Sequence, residues 1–116
     1  QRYSHSLIQE TQEFVINIPT EQQLEAVKIC GTRSGRDTNK WVKTGLTPDD
    51  SNAIKTPGIA ECPVSIECVV NQTVELGTHT LFIGEVLQVR KDEMWKGLPS
   101  PLGYMNGKYY KLVEVY

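Results

Sequence analysis

The first candidate for chemistry is a short polar loop whose side chains could bind an anion. Residues 32–36 read T-R-S-G-R, and Lys40 follows a few positions later. The loop therefore offers guanidinium groups, including that of Arg36, together with the hydroxyl of Ser34 and a flexible glycine. Loops of this composition cradle phosphates through basic side chains and backbone N–H groups. A solvated polar loop that holds no ligand is the alternative interpretation.

A second pair of residues could contribute to the same kind of site. Arg2 and Ser4 flank the predicted start of a helix. The unpaired N–H groups and the dipole at a helix start favour a phosphate. We therefore include both residues among the candidate anion ligands.

His79 is the candidate for catalysis. It stands at the start of a predicted long strand, residues 78–90, from where an imidazole can donate to a carbonyl or a ring nitrogen of a ligand. A surface or turn-capping histidine is the alternative. The sequence has two histidines and no nucleophile motif, which argues against a hydrolytic triad.

Aromatic side chains gather toward the end of the chain. Such residues on a hairpin can stack on a planar ligand, fill a dimer interface or form ordinary strand core, and the pattern does not separate these cases. The group consists of Trp95, Tyr104, Tyr109 and Tyr110.

The cysteines indicate a reducing compartment. Cys30, Cys62 and Cys68 are odd in number and form no C-x-x-C pair, so we expect free thiols and a cytoplasmic location. A zinc site of these cysteines with His79 has suitable ligand types, but the spacing fits no short zinc motif, and we expect no metal. Alternation places residues 62 and 68 in one apolar stripe of a strand, which favours packing.

Length and composition describe an ordinary globular domain. The chain has 116 residues, a formal charge of -2 and 39% hydrophobic residues. Its apolar runs are only a few residues long, too short for a transmembrane helix. The near-neutral balance offers no broad basic surface for nucleic acid.

The first half of the chain mixes helix and strand. We predict a helix over 4–12, a strand over 14–18 that Pro19 ends, and a helix opened by a capping box of Thr20 and Gln23. Gly31 is expected to end that helix. A short helix over 38–44, closed by glycine, follows.

The second half is predicted to be β. Strands are expected over 59–70 and 78–90, and Gly84 inside the second suggests a bulge, a barrel bend or a close approach by a ligand. Residues 104–109 contain Asn-Gly, which favours a tight hairpin turn, and 110–115 is a further strand candidate. The expected class is mainly β (α+β), with a short helical insert near the start and strands long enough for a barrel.

In order along the chain, these segments resemble the flavin reductase-like, FMN-binding split-barrel family, most closely its flavoredoxin-like branch. The resemblance covers almost the whole chain and is weakest over 91–116. The family usually has Phe at the position of Trp41, so an aromatic residue is kept. The matching segments are RYSHSLI (2–8), ETQEFVINIP (10–19), CG and SGR (30–36), NKW (39–41), GLTP (45–48), ECP (61–63), EC (67–68) and HTLFIGEV (79–86).

The resemblance implies a site for FMN in a split β-barrel, usually within a homodimer. Ser4 and Lys40 would serve the phosphate and ribityl end, with Arg36 in the S-G-R loop as a further phosphate ligand. His79 would lie near the isoalloxazine ring or the nicotinamide position. Tyr109 and Tyr110 are the candidates to cover the ring.

The implied function is an oxidoreductase in which NADH or NADPH reduces the flavin and the flavin passes electrons to an acceptor. Two alternatives stay open: an FMN electron carrier that a redox protein reduces, and a cofactor-free β-barrel interaction domain. Members of the family begin with strands ahead of the RYSH-like segment. We therefore expect residues 1–116 to be a single flavin reductase-like domain that is the C-terminal part of a longer one.

Overall fold

The computed structural model describes residues 3–93 and 100–115. Helices and strands alternate in the first half, and strands make up the second half. In chain order the elements are α1 (Tyr3–Thr11), β1 (Glu13–Ile18), a 3-10 turn (Glu21–Gln23), α2 (Leu24–Thr32), α3 (Lys40–Thr44), β2 (Pro48–Asp49), β3 (Gly58–Ile59), β4 (Val64–Glu75), β5 (Thr80–Lys91), β6 (Leu102–Met105) and β7 (Lys108–Lys111).

A three-stranded antiparallel sheet in the order β1-β4-β5 is the centre of the fold. Phe14 pairs with Cys68, and Val70 pairs with Gly84. Register shifts at 67/68 and 70/72 mark irregularities in the β4–β5 ladder. A Cβ at Gly84 would lie 2.6 Å from Cζ of Phe14 and 3.1 Å from Cβ of Cys68. Of the alternatives expected for Gly84, the structure shows the bulge, beside position 70. The close neighbour of Gly84 is the ring of Phe14.

Two of the residue patterns predicted to begin or end a helix are found where expected. Thr20 and Gln23 form the capping box: Thr20 N–H donates to Gln23 Oε1 at 2.8 Å, and the Thr20 hydroxyl accepts from Gln22 N–H at 3.3 Å. Gly45 closes α3 in the left-handed conformation, with φ of 72°.

The expectation for Gly31 was wrong. Helix α2 continues through Gly31 to Thr32, and Arg33 caps it in an extended conformation. Two of the carbonyls at the end of the helix have other partners: the Arg33 N–H donates to the carbonyl of Ile29 at 3.1 Å, and the Lys40 ammonium group donates to that of Cys30 at 2.9 Å. Gly31 instead lies near the hydroxyl of Tyr109.

The predicted strands are found with changed limits. The strand expected over 59–70 is divided, because residues 60–63 turn between β3 and β4, and β4 then continues to Glu75. The Asn-Gly hairpin is confirmed, with positive φ at Asn106 (51°) and Gly107 (77°). The last strand candidate, 110–115, is regular only as far as Lys111.

Three carboxylates fix the long segment between α3 and β4. Glu67 is 3% exposed and accepts from the backbone N–H groups of Asn52 and Ala53, the latter at 2.7 Å. Glu13 accepts from the N–H and hydroxyl of Thr56, and Glu61 does the same for Thr47. These hydrogen bonds hold the pKa of Glu13 and of Glu61 below its ordinary value.

The sheets formed by residues 3–93 and 100–115 do not close on themselves. Strand β5 forms one edge of the central sheet and has aliphatic side chains that are 41–55% exposed. They are Leu81, Ile83, Val86, Leu87 and Val89. A long aliphatic edge of this kind is a surface that another segment or chain can cover.

Two further observations concern membranes and metals. In the described part of the chain, no helix has the length and apolar character needed to cross a membrane. Within the same residues, no three His, Cys, Asp or Glu side chains are grouped to hold a metal ion. Cys30, Cys62 and Cys68 are free thiols.

The contact between Phe14 and Gly84 predicts a strong effect of one methyl group. Gly84→Ala should lower the free energy of unfolding by about 1–3 kcal/mol, because the new Cβ would overlap the Phe14 ring. Urea denaturation measures this. In the matched Phe14→Leu background the same substitution should cost less, since Leu lacks the outer ring atoms. A Gly84→Ala variant as stable as the wild type would contradict the packing described.

The lowered pKa of Glu13 predicts a dependence of stability on pH. Because the folded pKa lies below the ordinary value of 4.5, the unfolded chain binds more protons there. The stabilisation is complete above about pH 4.5 and is lost as the pH falls through the folded pKa. Glu13→Gln should therefore flatten the acid limb of a plot of stability against pH. Equal acid limbs for wild type and Glu13→Gln would refute this.

Candidate functional site

An open cleft of about 1000 Å³ lies between the start of α1, the end of α2 and the start of α3. The loop 32–39, which joins α2 to α3, forms much of its wall. The start of α1 therefore meets residues about thirty positions further along the chain at one opening. The side chains that could bind a ligand there include Tyr3, Ser4, Arg33, Ser34, Arg36, Lys40 and Trp41.

Lys40 links the two helices at the back of the cleft. Its Nζ donates a hydrogen bond of 2.9 Å to the carbonyl of Cys30, in the last turn of α2. Carbonyl groups at a helix end carry partial negative charge and lack partners within the helix. The ammonium group satisfies one of them and adds positive charge to a wall that would otherwise repel an anion. Its remaining N–H donors are available to a ligand.

Ser34 shapes the loop rather than leaving its backbone free. The N–H groups of Asp37 and Thr38 donate to the Ser34 carbonyl at 3.2 and 3.0 Å. The N–H of Arg36 donates to the Ser34 hydroxyl at 3.2 Å. These amides are therefore occupied within the turn. Side-chain cations, more than backbone N–H groups, give this loop its capacity for an anion.

The structure brings together most of the predicted phosphate ligands. Ser4, Ser34, Arg36 and Lys40 all line the cleft. Arg2 lies outside the described residues. The cleft also contains the aromatic side chains of Tyr3 and Trp41, which the sequence analysis had not selected as site residues. The available signal was their position, because each is adjacent in sequence to a predicted ligand.

His79 lies elsewhere, in the turn between β4 and β5. It is exposed, and its Nδ1 is 2.8 Å from the hydroxyl of Thr78. It does not line the cleft. Its assignment to the ring end of a ligand stays a prediction.

The other histidine, His5, has a defined structural role that the sequence analysis missed. Its Nε2 is 2.9 Å from the Thr80 hydroxyl, which itself donates to Glu75 at 3.0 Å. The imidazole therefore acts as the donor to Thr80. The ring also contacts Phe82, with 5.6 Å between ring centres, and its Nδ1 is buried without a partner. His5 thus anchors α1, which carries Tyr3 and Ser4, on β5.

The aromatic hairpin lies beside the cleft. A Cβ at Gly31 would be 3.5 Å from the hydroxyl of Tyr109, so Tyr109 lies against the end of α2. Its ring is 4.9 Å from that of Tyr104. Tyr110 is 42% exposed, and neither Tyr109 nor Tyr110 lines the cleft. Trp95 is outside the described residues.

Two of the three thiols, Cys62 and Cys68, are buried and do not line the cleft. Burial raises the pKa of Cys62 and of Cys68, which keeps both protonated near neutral pH. Cys30 lines the cleft, and its carbonyl holds Lys40. The chemistry of the cleft is therefore that of guanidinium, ammonium and hydroxyl donors with aromatic rings beside them. This donor set fits a phosphorylated ligand with a planar group.

Residues 1–113 match the family described as the flavin reductase like domain. An uncharacterised protein of Archaeoglobus fulgidus is 44% identical over 103 residues, which are 89% of this chain and 58% of that protein. The chain thus spans little more than half the length of this relative.

Solved structures show the same fold. Flavoredoxin of Desulfovibrio vulgaris (Miyazaki F) is 30% identical, with a TM-score of 0.85 over 99% of this chain and 67% of that one. Nitrilotriacetate monooxygenase component B from Bacillus cereus is 25% identical, with a TM-score of 0.86 over 100% of this chain and 64% of that one. The mainly β, split-barrel architecture is confirmed, and the chain belongs to the flavin reductase-like family, in its flavoredoxin branch.

Proposed function

We propose that the cleft binds the phosphate and ribityl end of FMN, and that the protein is an FMN-binding oxidoreductase of the flavin reductase or flavoredoxin type. It would take electrons from NADH or NADPH and pass them through the flavin to an acceptor. The observation that carries this proposal is the cationic cleft around residues 32–40 in a member of the flavin reductase-like family.

Charge supports the phosphate assignment. The cleft is lined by the cations of Arg33, Arg36 and Lys40 against the single carboxylate of Asp37. A phosphate monoester carries close to two negative charges at neutral pH. Arg36 and Lys40 would balance that charge, and the hydroxyl of Ser4 would donate to a phosphate or ribityl oxygen. Lys40 can do this without leaving Cys30, because an ammonium group has three donors.

The ring end of the flavin is proposed to lie outside the cleft described above. We assign His79 to it as the residue that orients the ring or the hydride donor, and Tyr109 and Tyr110 as the residues that cover it. Two contacts support this assignment. Thr80, the residue after His79, forms a hydrogen bond with His5 of α1, the helix that carries Ser4. Tyr109 lies against the end of α2.

A bound flavin would supply the redox chemistry, accepting a hydride and releasing electrons in one- or two-electron steps. The chain's own residues bind, orient and shield it.

The exposed aliphatic edge of β5 supports a homodimer, or cover by another part of the same protein. Three free cysteines support a cytoplasmic location.

An absorbance experiment tests the proposed activity. The full protein should carry or take up FMN, and its flavin absorbance should bleach when NADH or NADPH is added without oxygen. A flavin that neither nucleotide bleaches, but that a reduced redox protein does, would replace this proposal with an electron carrier. A protein that stays colourless after incubation with FMN would refute flavin binding.

Removing a cation from the cleft tests the phosphate assignment. Lys40→Met keeps the length of the side chain and should weaken FMN binding by about ten- to a hundredfold, as expected for one charge-assisted hydrogen bond. Calorimetry on the full protein measures this affinity, and a thermal melt shows whether the fold persists. Lys43→Met, on the same short helix but outside the lining of the cleft, is the matched control. Equal losses in both variants, or none in Lys40→Met, would contradict the assignment.

A further inference from the structure

Arg36 is held in the cleft by an aromatic ring. The carbon at the centre of its guanidinium group lies over the Tyr3 ring, 5.3 Å from the ring centre. Within residues 3–93 and 100–115 no ion pair involves Arg36, so its guanidinium group has no carboxylate partner there. Asp37 is its neighbour in sequence but forms no ion pair with it.

The kind of partner matters for anion binding. A carboxylate would position the guanidinium group and also cancel its charge and occupy its N–H donors. An aromatic face attracts the cation through the ring quadrupole and leaves the charge in place. It also leaves the N–H groups, which lie in the plane of the guanidinium group, free at the edges. A cation held this way is ordered before an anion arrives and is still fully able to bind it.

Gly35 permits this arrangement. A Cβ at Gly35 would lie 3.0 Å from Cδ2 and 3.3 Å from Cε2 of Tyr3. The backbone of the loop therefore approaches the ring so closely that a side chain at position 35 would displace one of them. The bond from Arg36 N–H to the Ser34 hydroxyl sets the direction of the backbone at the same point.

The Tyr3 ring is held in place relative to the central sheet through helix α1. Tyr3 belongs to α1. Two residues later in that helix, His5 forms a hydrogen bond with Thr80 and contacts the ring of Phe82, both in β5. The position of Arg36 thus follows from the central sheet through α1 and the Tyr3 ring, and not from the loop alone.

We propose that Tyr3 is a positioning residue for anion binding: its ring orders Arg36 toward the cleft without neutralising it, and Gly35 leaves room for the ring at this contact. The expected effect of Tyr3 on FMN affinity rests on the proposed function above. The positioning of Arg36 by the Tyr3 ring does not rest on it, and a separate experiment tests each.

The test compares Tyr3→Leu, which removes the aromatic face, with Tyr3→Phe, which keeps it. In the full protein, Tyr3→Leu should weaken FMN binding about two- to fivefold, as expected for an exposed cation–π contact, and Tyr3→Phe should restore it. In an Arg36→Met background, Tyr3→Leu should have no further effect, because the cation it holds is gone. A merely structural role for Tyr3 would give the same loss in both backgrounds.

Limited trypsin digestion without ligand gives the second readout. Cleavage of the Arg36–Asp37 bond should be faster in Tyr3→Leu and in Gly35→Ala than in the wild type, and unchanged in Tyr3→Phe. Altered cleavage in a protein that ignores FMN would uphold the positioning role and overturn the proposed function. Unchanged cleavage together with unchanged FMN affinity in Tyr3→Leu would overturn the positioning role and leave flavin binding intact.

Discussion

The hydrogen bond from the Lys40 ammonium group to the carbonyl of Cys30 is the constraint on which the cleft depends. It joins the end of α2 to the start of α3 and so closes the intervening loop into a bounded turn. It also places a positive charge on a helix end that is partly negative. Without it, the loop would keep its cations but lose the fixed wall against which they face the opening.

The central sheet carries this arrangement through close contacts at a few positions. The ring of Phe14 occupies the space that a side chain at position 84 would need, which brings β1 and β5 together across β4. His5 then fixes α1 on β5, and α1 presents Tyr3 to the loop. Glu67, Glu13 and Glu61 hold the segment between α3 and β4 by accepting backbone N–H groups. The bonds of His5 and Glu67 are half-buried, so small changes in side-chain volume near them are transmitted toward the site.

Local signals in the sequence predicted the local features. The capping box at Thr20 and the Asn-Gly turn at 106–107 need only neighbouring residues, and both were found. The expectation for Gly31 failed because a glycine near a helix end does not by itself require the left-handed conformation. Arg33 N–H and the Lys40 ammonium group supply partners for the end carbonyls of Ile29 and Cys30. Ser4, Ser34, Arg36 and Lys40 were expected to serve one anion, and all four line the same cleft, while their role as ligands stays a prediction.

Contacts between residues far apart in the chain could not be predicted from the sequence. Nothing near Glu13 indicates that it holds Thr56, 43 positions away, and nothing near His5 indicates Thr80. For the same reason Tyr3 gave no sign that it lies under Arg36.

Amide chemical shifts of the full protein, followed by NMR as FMN is added, test the central claim most directly. We expect the largest changes at residues 3–7 and 30–41. Changes absent from those segments, with FMN bound elsewhere or not at all, would contradict the account.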